Sequence, residues 1–492
     1  MSARVRAAIA AVVVLLVGAG VLLAVRDDGG DDAAPAAAST TTTVEATTTT
    51  APLDGSAGAP GVGDPYFPNL GNGGYDVEHY TLELTWHADE GRLEGRTTIE
   101  ATATQDLSAL NLDLVGLEVS EVEVDGAPAQ ADHVEREVTV TPAEPVAEGA
   151  AFTVTVAYGG VPTPIQEGTD LFRVGWQTDG REAYVVSEPS GAATFFPVND
   201  HPSDKATYTI VVTAPADQVV AANGLLAGEP EDGDGTRTWT YEAPDPMASY
   251  LVQVAVGDYE LVDAGRVGDT VIRHAFHRRL ADQAREATAR TAEMIDVLDD
   301  VFGPYPFVAY GVLAVDEPLG FALETQTLTI IGTDVATWGR QADDILLHEL
   351  AHQWVGNLVG PATWRDIWLN EGFATYAEWL WRERTGGAPA ASRARATAGS
   401  GADLALPPAD PGAEELFATT VYWRGAMALQ ALREEVGDDA FFTILRRWVE
   451  DHGGSTASTE DLVALAEEVS GQELDPLFDR WVRAPERPRF DD

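Results

Sequence analysis

The stretch "HELAHQWVGN" at 348–357, with "WLNEGFATYAE" at 368–378, decides how this chain is read. Positions i and i+4 of an α-helix share a face, so His348 and His352 can reach one metal ion while Glu349 projects toward its open coordination position. Leu347, Leu350, Ala351 and Trp354 form an i, i+3, i+4, i+7 apolar stripe opposite the histidines, and Gly356 supplies a stop, which predicts an amphipathic helix. A third candidate ligand, Glu371, follows His352 after eighteen intervening residues. Gly356, Gly360 and Pro361 break the first helix, and the run from Trp364 through Trp381 starts a second whose early turn can bring Glu371 back to the metal. Zinc on three protein ligands keeps a water in its fourth position and lowers that water's pKa to about 7, so a nearby glutamate can take its proton. One Zn²⁺ per chain is expected, held by His348, His352 and Glu371, with Glu349 as general base.

These two segments together resemble the gluzincin metallopeptidases, and within them the M1 family typified by aminopeptidase N. Two further stretches carry the resemblance. "GFALETQT" (320–327) is similar to the family's Gly-Ala-Met-Glu-Asn exopeptidase motif, with Phe321 in place of the glycine and Thr325 in place of the asparagine. The resemblance makes Glu324 the anchor for the substrate's free α-ammonium group. "VYWRGAMAL" (421–429) resembles the Tyr-x-Lys-Gly-Ala segment, which makes Tyr422 the donor to the oxyanion and puts Arg424 where lysine is usual, keeping the charge but not the shape. A weaker likeness lies in "SEPSGAATFFPVNDHPSDKATY" (187–208), where Glu188 takes the position of a second contact to the amine. Two carboxylates around one ammonium is sound electrostatics in a half-buried pocket. His201 in the same stretch is expected to be structural.

The resemblance covers about 65–490 and implies two domains. Period-two alternation in "YTLELTW" (80–86), "REVTVTP" (136–142) and "AFTVTVAY" (151–158), broken by Gly, Pro and Asp, reads as strands. The expected fold class is α+β. An N-terminal antiparallel β domain (65–262) is followed by a thermolysin-like, helix-rich catalytic domain (263–492), which contains the strand "YGVLAV" (310–315) and a last helix opened by Asp475 as N-cap with Pro476 behind it. The larger M1 enzymes continue with a β-sandwich and a helical domain that close over the cleft. Only a few residues lie beyond "LFDRWVRAPERPRF" (477–490), so a short two-domain form without these lid domains, and a more open site, are expected.

Composition bounds the rest. The 492 residues carry 80 acidic against 30 basic side chains, a formal charge of −50, with Lys205 as the one lysine. Such a surface repels nucleic acid and anionic headgroups and favours solubility. Arg4 and Arg6 precede an uncharged apolar run from Ala7 to Val25, long enough to span a bilayer. Its length favours an uncleaved membrane anchor (1–26) over a cleaved signal peptide, and either reading exports the catalytic part. No cysteine is present, so there are no disulfides and no lipid on an N-terminal cysteine. The Thr-, Ala-, Pro- and Gly-rich stretch 27–64 reads as a disordered stalk.

The expected function is a cell-surface zinc aminopeptidase acting on peptides with a free N-terminus. A zinc endopeptidase without amine selection, or a non-catalytic peptide-binding surface protein, are the alternatives. The presence of the general base and of every ligand weighs against the last of these.

Overall fold

Tyr75–His87 shows why this chain folds first into sheets. Tyr75 and Val77 are buried, then Tyr80, Leu82, Leu84 and Trp86. The switch from odd to even positions coincides with a register shift between Val77 and His79 against the neighbouring strand, because one extra residue in a strand moves every later side chain to the other face. The computed structural model describes residues 55–166 and 173–490. All of them fall in one compact unit that begins at Leu53.

Tyr75–His87 lies inside a nine-stranded sheet, flanked by Lys205–Pro215 and Arg92–Ala103. The expectation of an antiparallel domain needs correction at two pairings, one of them the short parallel contact of Ser56–Ala57 with Leu107–Asp113 and the other in this sheet. Lys205–Pro215 runs parallel to Tyr75–His87, from Thr207 opposite His79 to Thr213 opposite Thr85, because a long excursion through two smaller four-stranded sheets separates them in the chain.

A six-stranded mixed sheet follows, in the order Tyr259–Val267, Thr270–His277, Val312–Ala314, Thr329–Ile331 and Ala322–Leu323, with Ala309–Tyr310 pairing on Thr270–His277. The boundary expected at 262/263 falls inside the first of these strands, and one apolar core runs from Phe67 to Val482 across it. Ala322–Leu323 is the edge strand, and it delivers Glu324 at its end. Helices follow: Asp343–Ala351 packs on the strand Ala322–Leu323 and on Trp368–Arg384, which packs on Thr419–Val436, and Asp438–His452 and Thr459–Ser470 pack beyond it. The last short helix, Asp475–Phe478, has Leu474 at its N-cap, so Asp475 is its first helical residue, not the cap.

Residues 55–64, expected within the stalk, belong to the folded body. Ser56–Ala57 pairs with the strand Leu107–Asp113, and Asp64 is buried. Its carboxylate accepts from the N–H groups of Tyr66, Phe67 and, 300 residues away, Trp364, at 2.8–2.9 Å, and it lies 3.2 Å from Nε2 of His201. His201 is structural, as expected. The apolar run 7–25 and the stalk up to 54 lie outside the described residues, among which no helix is long and apolar enough to cross a membrane.

Candidate active site

The zinc-ligand helix, Asp343–Ala351, is buried from Leu346 onward: Leu346, Leu347, Leu350 and Ala351 enter the core, and His348 and Glu349 are buried as well, while Asp344 and Ile345 keep partial exposure. Regular helix ends at Ala351, and His352 follows as the cap residue in helical geometry, its N–H donating to His348 O at 3.2 Å. The two histidines therefore keep their one-turn relation. Gly356 then reverses the chain at φ +126°, where a Cβ would stand 3.2–3.3 Å from Asn370 Nδ2 and His352 Nδ1.

Glu371 arrives on the second helix, Trp368–Arg384. Its Oε2 lies 3.0 Å from Nε2 of His348 and 3.4 Å from Nε2 of His352. Donor atoms of the three residues all lie within 4.8 Å of one another, the one such group among the described residues. The remaining ring nitrogens are tied down. Nδ1 of His352 is 3.1 Å from Val355 O, a carbonyl that can only accept, so Nδ1 carries a proton and Nε2 is the atom turned to Glu371. Nδ1 of His348 is 2.8 Å from the Glu378 carboxylate. Two imidazoles and a carboxylate, each imidazole oriented by an acceptor behind it, fit a catalytic zinc site.

Tyr422 sits on a third helix, Thr419–Val436, which crosses the second where both carry glycine. A Cβ on Gly425 would stand 3.0 Å from Gly372 Cα, so the backbones meet there and bring Tyr422 and Glu371 into one cluster. The Tyr422 ring stacks on His348 at 5.9 Å between centroids. Burial, then the charges of Glu371, Glu188, Glu324 and Glu349, push its phenol well above the usual range, so the hydroxyl stays a donor. Arg424 points the other way, fully buried. Its guanidinium donates to the carbonyls of Leu404, Ala405, Leu406, Arg480, Trp481 and Ala484, fastening two loops to this helix.

Glu188 and Glu324, 4% and 2% exposed, complete the cluster, and each has an Oε1 with no hydrogen-bond partner. Burial, then Glu324, Glu371 and Glu349, push the Glu188 carboxyl well up. Burial raises Glu324, against the pull of His352. Burial likewise lifts Glu349 to about 8, with the histidines opposing. Glu371 is the exception: burial would raise it, but His352 and His348 hold it at about 2. Four carboxylates in one buried cluster call for cations.

Every site residue expected from the sequence thus falls in one mostly buried cluster. The sequence reading missed Glu378, although it stands seven residues after Glu371 and so on the same helical face. It also missed Tyr250, buried among Glu324, Glu188 and Glu371, for which nothing local gives a signal.

The M1 peptidase N-terminal domain pattern matches residues 76–251 and the Peptidase family M1 domain pattern matches 286–481. An M1 zinc metallopeptidase from Deinococcus radiodurans is 37% identical, with a TM-score of 0.81 over 88% of this chain and 99% of that one. The chain belongs to the M1 peptidase family. A variant of the Deinococcus enzyme bound to a Tyr-Ser-Ala substrate matches equally, at 37% identity and a TM-score of 0.81. Curated relatives include Aminopeptidase M1 of Arabidopsis thaliana, 24% identical over 82% of this chain, and Aminopeptidase M1-A of Oryza sativa subsp. japonica, 28% identical over 82%. The chain spans about half the length of these two relatives, 50% of each.

Proposed function

We propose that this M1 peptidase is a zinc aminopeptidase that removes the first residue of peptides with a free N-terminus. One observation carries the reading: two buried carboxylates with unpartnered oxygens, Glu324 and Glu188, lie within electrostatic reach of the His348–His352–Glu371 trio. The names of the relatives and the peptide bound to the Deinococcus enzyme support it.

Zn²⁺ bound by the trio supplies a Lewis acid for the scissile carbonyl and makes a water acidic enough to lose a proton near neutrality. Glu349 accepts that proton and returns it to the leaving amine. The Tyr422 hydroxyl donates to the carbonyl oxygen as it gains negative charge, and Glu324 with Glu188 fixes the α-ammonium, so that the first peptide bond lies at the trio. The acidic surface and the apolar run 7–25 behind Arg4 and Arg6 support a placement at the cell surface, anchored in the membrane.

The test is metal analysis of the full chain alongside turnover of aminoacyl-nitroanilides, in wild type and Glu349→Gln. The variant should keep its zinc and lose about 10²–10⁴-fold in rate, the usual span of a general base. A near-normal rate would remove Glu349 from the reaction, and a metal-free active wild type would overturn the zinc reading.

A further inference from the structure

The amine anchor is held by the segment that directly follows the zinc helix. Glu324 directly precedes a tight turn, 325–328, closed by the Leu328 N–H donating to Thr325 O at 3.0 Å, in which Thr327 adopts φ +64°, a left-handed conformation that a β-branched residue takes only under constraint. The constraint comes largely from one side chain. Gln353, the residue after His352 and fully buried, donates from Nε2 to Glu324 O at 3.0 Å and accepts at Oε1 from Thr327 N at 2.9 Å. Asn357, also fully buried, donates from Nδ2 to the same Glu324 carbonyl at 2.7 Å. Asn357 is in turn fixed to the ligand's backbone, its N–H donating to His352 O at 2.9 Å.

The opposite side of the turn belongs to the N-terminal sheets. Asn223 Nδ2 donates to Gln326 O at 2.6 Å and Leu251 O at 3.0 Å, and the Gly224 N–H donates to Thr327 Oγ1 at 2.7 Å. Those bonds hold the turn to the β domain but not to the metal site. Among the described residues, Gln353 and Asn357 supply the hydrogen bonds that join the turn to the segment directly behind the zinc helix.

We propose that Gln353, with Asn357, is a positioning residue that sets the spacing between the amine anchor and the metal, and hence the preference for the first peptide bond. A free peptide gains from its α-ammonium only if that group and its first carbonyl reach Glu324 and the zinc trio together. A turn released from that segment lets the carboxylate drift by fractions of an ångström, enough to weaken a charge-assisted hydrogen bond without touching the metal. The inference rests on the reading of Glu324 as amine anchor.

The test measures zinc content and specificity constants for leucyl-nitroanilide and its N-acetyl form in the full chain. Gln353→Leu, Asn357→Ala, Glu324→Ala and the Gln353→Leu/Glu324→Ala double variant are compared with wild type. Gln353→Leu should retain zinc while the free-to-acetylated ratio falls roughly tenfold, and it should have no further effect in the Glu324→Ala background. An equal loss on both substrates, or the same loss in both backgrounds, would overturn the proposal and leave Gln353 a packing residue. Should Gln353→Leu not fold, Asn357→Ala, which removes one bond to the same carbonyl, is expected to lower the ratio roughly threefold and decides in its place. If Glu324→Ala alone leaves the ratio unchanged, the anchor reading fails and this one with it. If Glu324→Ala collapses the ratio and the Gln353 and Asn357 variants do not, this proposal alone fails.

Discussion

Tyr422 is the residue whose role depends most on one atom. Replacing it with Phe removes a hydroxyl and little volume, and its stacking on His348 survives. Zinc content and folding should be unchanged, while the turnover number falls by about 10²–10³, the cost of losing one preorganised oxyanion donor. A change confined to the Michaelis constant would make Tyr422 a binding residue instead. His348, Glu349, His352 and Glu371 were legible in the sequence because metal chemistry fixes both residue type and spacing on a helix. Gln353, Asn357 and Tyr250 were not, because amides and phenols become specific only through the groups that folding brings against them. The same holds for the Glu378 carboxylate behind His348, visible only once the helix face is known to look inward.

At the scale of elements, the site depends on how closely helices and sheets approach. Gly425→Ala would place a methyl 3.0 Å from Gly372 Cα. The two helices must then separate, which should lower stability by about 1–3 kcal/mol and reduce turnover by moving Tyr422 relative to Glu371. Denaturant midpoints and steady-state rates check both effects, and unaltered values would show that the crossing has slack. Lys205 makes a second such contact. From the first residue of its strand, Nζ donates to the carbonyls of Asn357, Leu358 and Ser455 at 2.8–2.9 Å, joining the nine-stranded sheet to the segment behind the zinc helix. Lys205→Met keeps the length and takes the donor from Asn357 O, while Leu358 O and Ser455 O keep the N–H groups of Gly454 and Gly360, so unfolding free energy should fall by about 1–3 kcal/mol in a denaturant titration. Strands and helices were readable from periodicity, but the parallel pairing of Lys205–Pro215 with Tyr75–His87 was not. Alternation is the same in either direction, and the intervening chain hides which strand becomes the neighbour.

For the whole molecule, charge and the placement of the site dominate. A net charge of −50 makes self-repulsion a standing cost of the folded state, and added salt screens it. The thermal midpoint should rise between low and molar sodium chloride, and a midpoint that stayed constant would mean that the carboxylates are too well dispersed to matter. The start of the ordered body was misread from composition, since a stretch poor in apolar residues can still be held by one buried acceptor. Asp64 binds Trp364 and faces His201, so truncation at Pro65 removes a link between distant parts of the fold. On the proposed reading, the buried carboxylate cluster selects a free amino terminus for zinc-dependent cleavage. This selection is tested most directly by the specificity constants of the wild-type zinc-loaded chain on aminoacyl-nitroanilides and on the same compounds N-acetylated. A charge-assisted bond to Glu324 predicts a preference for the free amine on the order of ten- to a hundredfold, lost in Glu324→Ala with zinc retained. Equal cleavage of free and acetylated substrates by the wild type would contradict the account and leave an endopeptidase with the same metal chemistry.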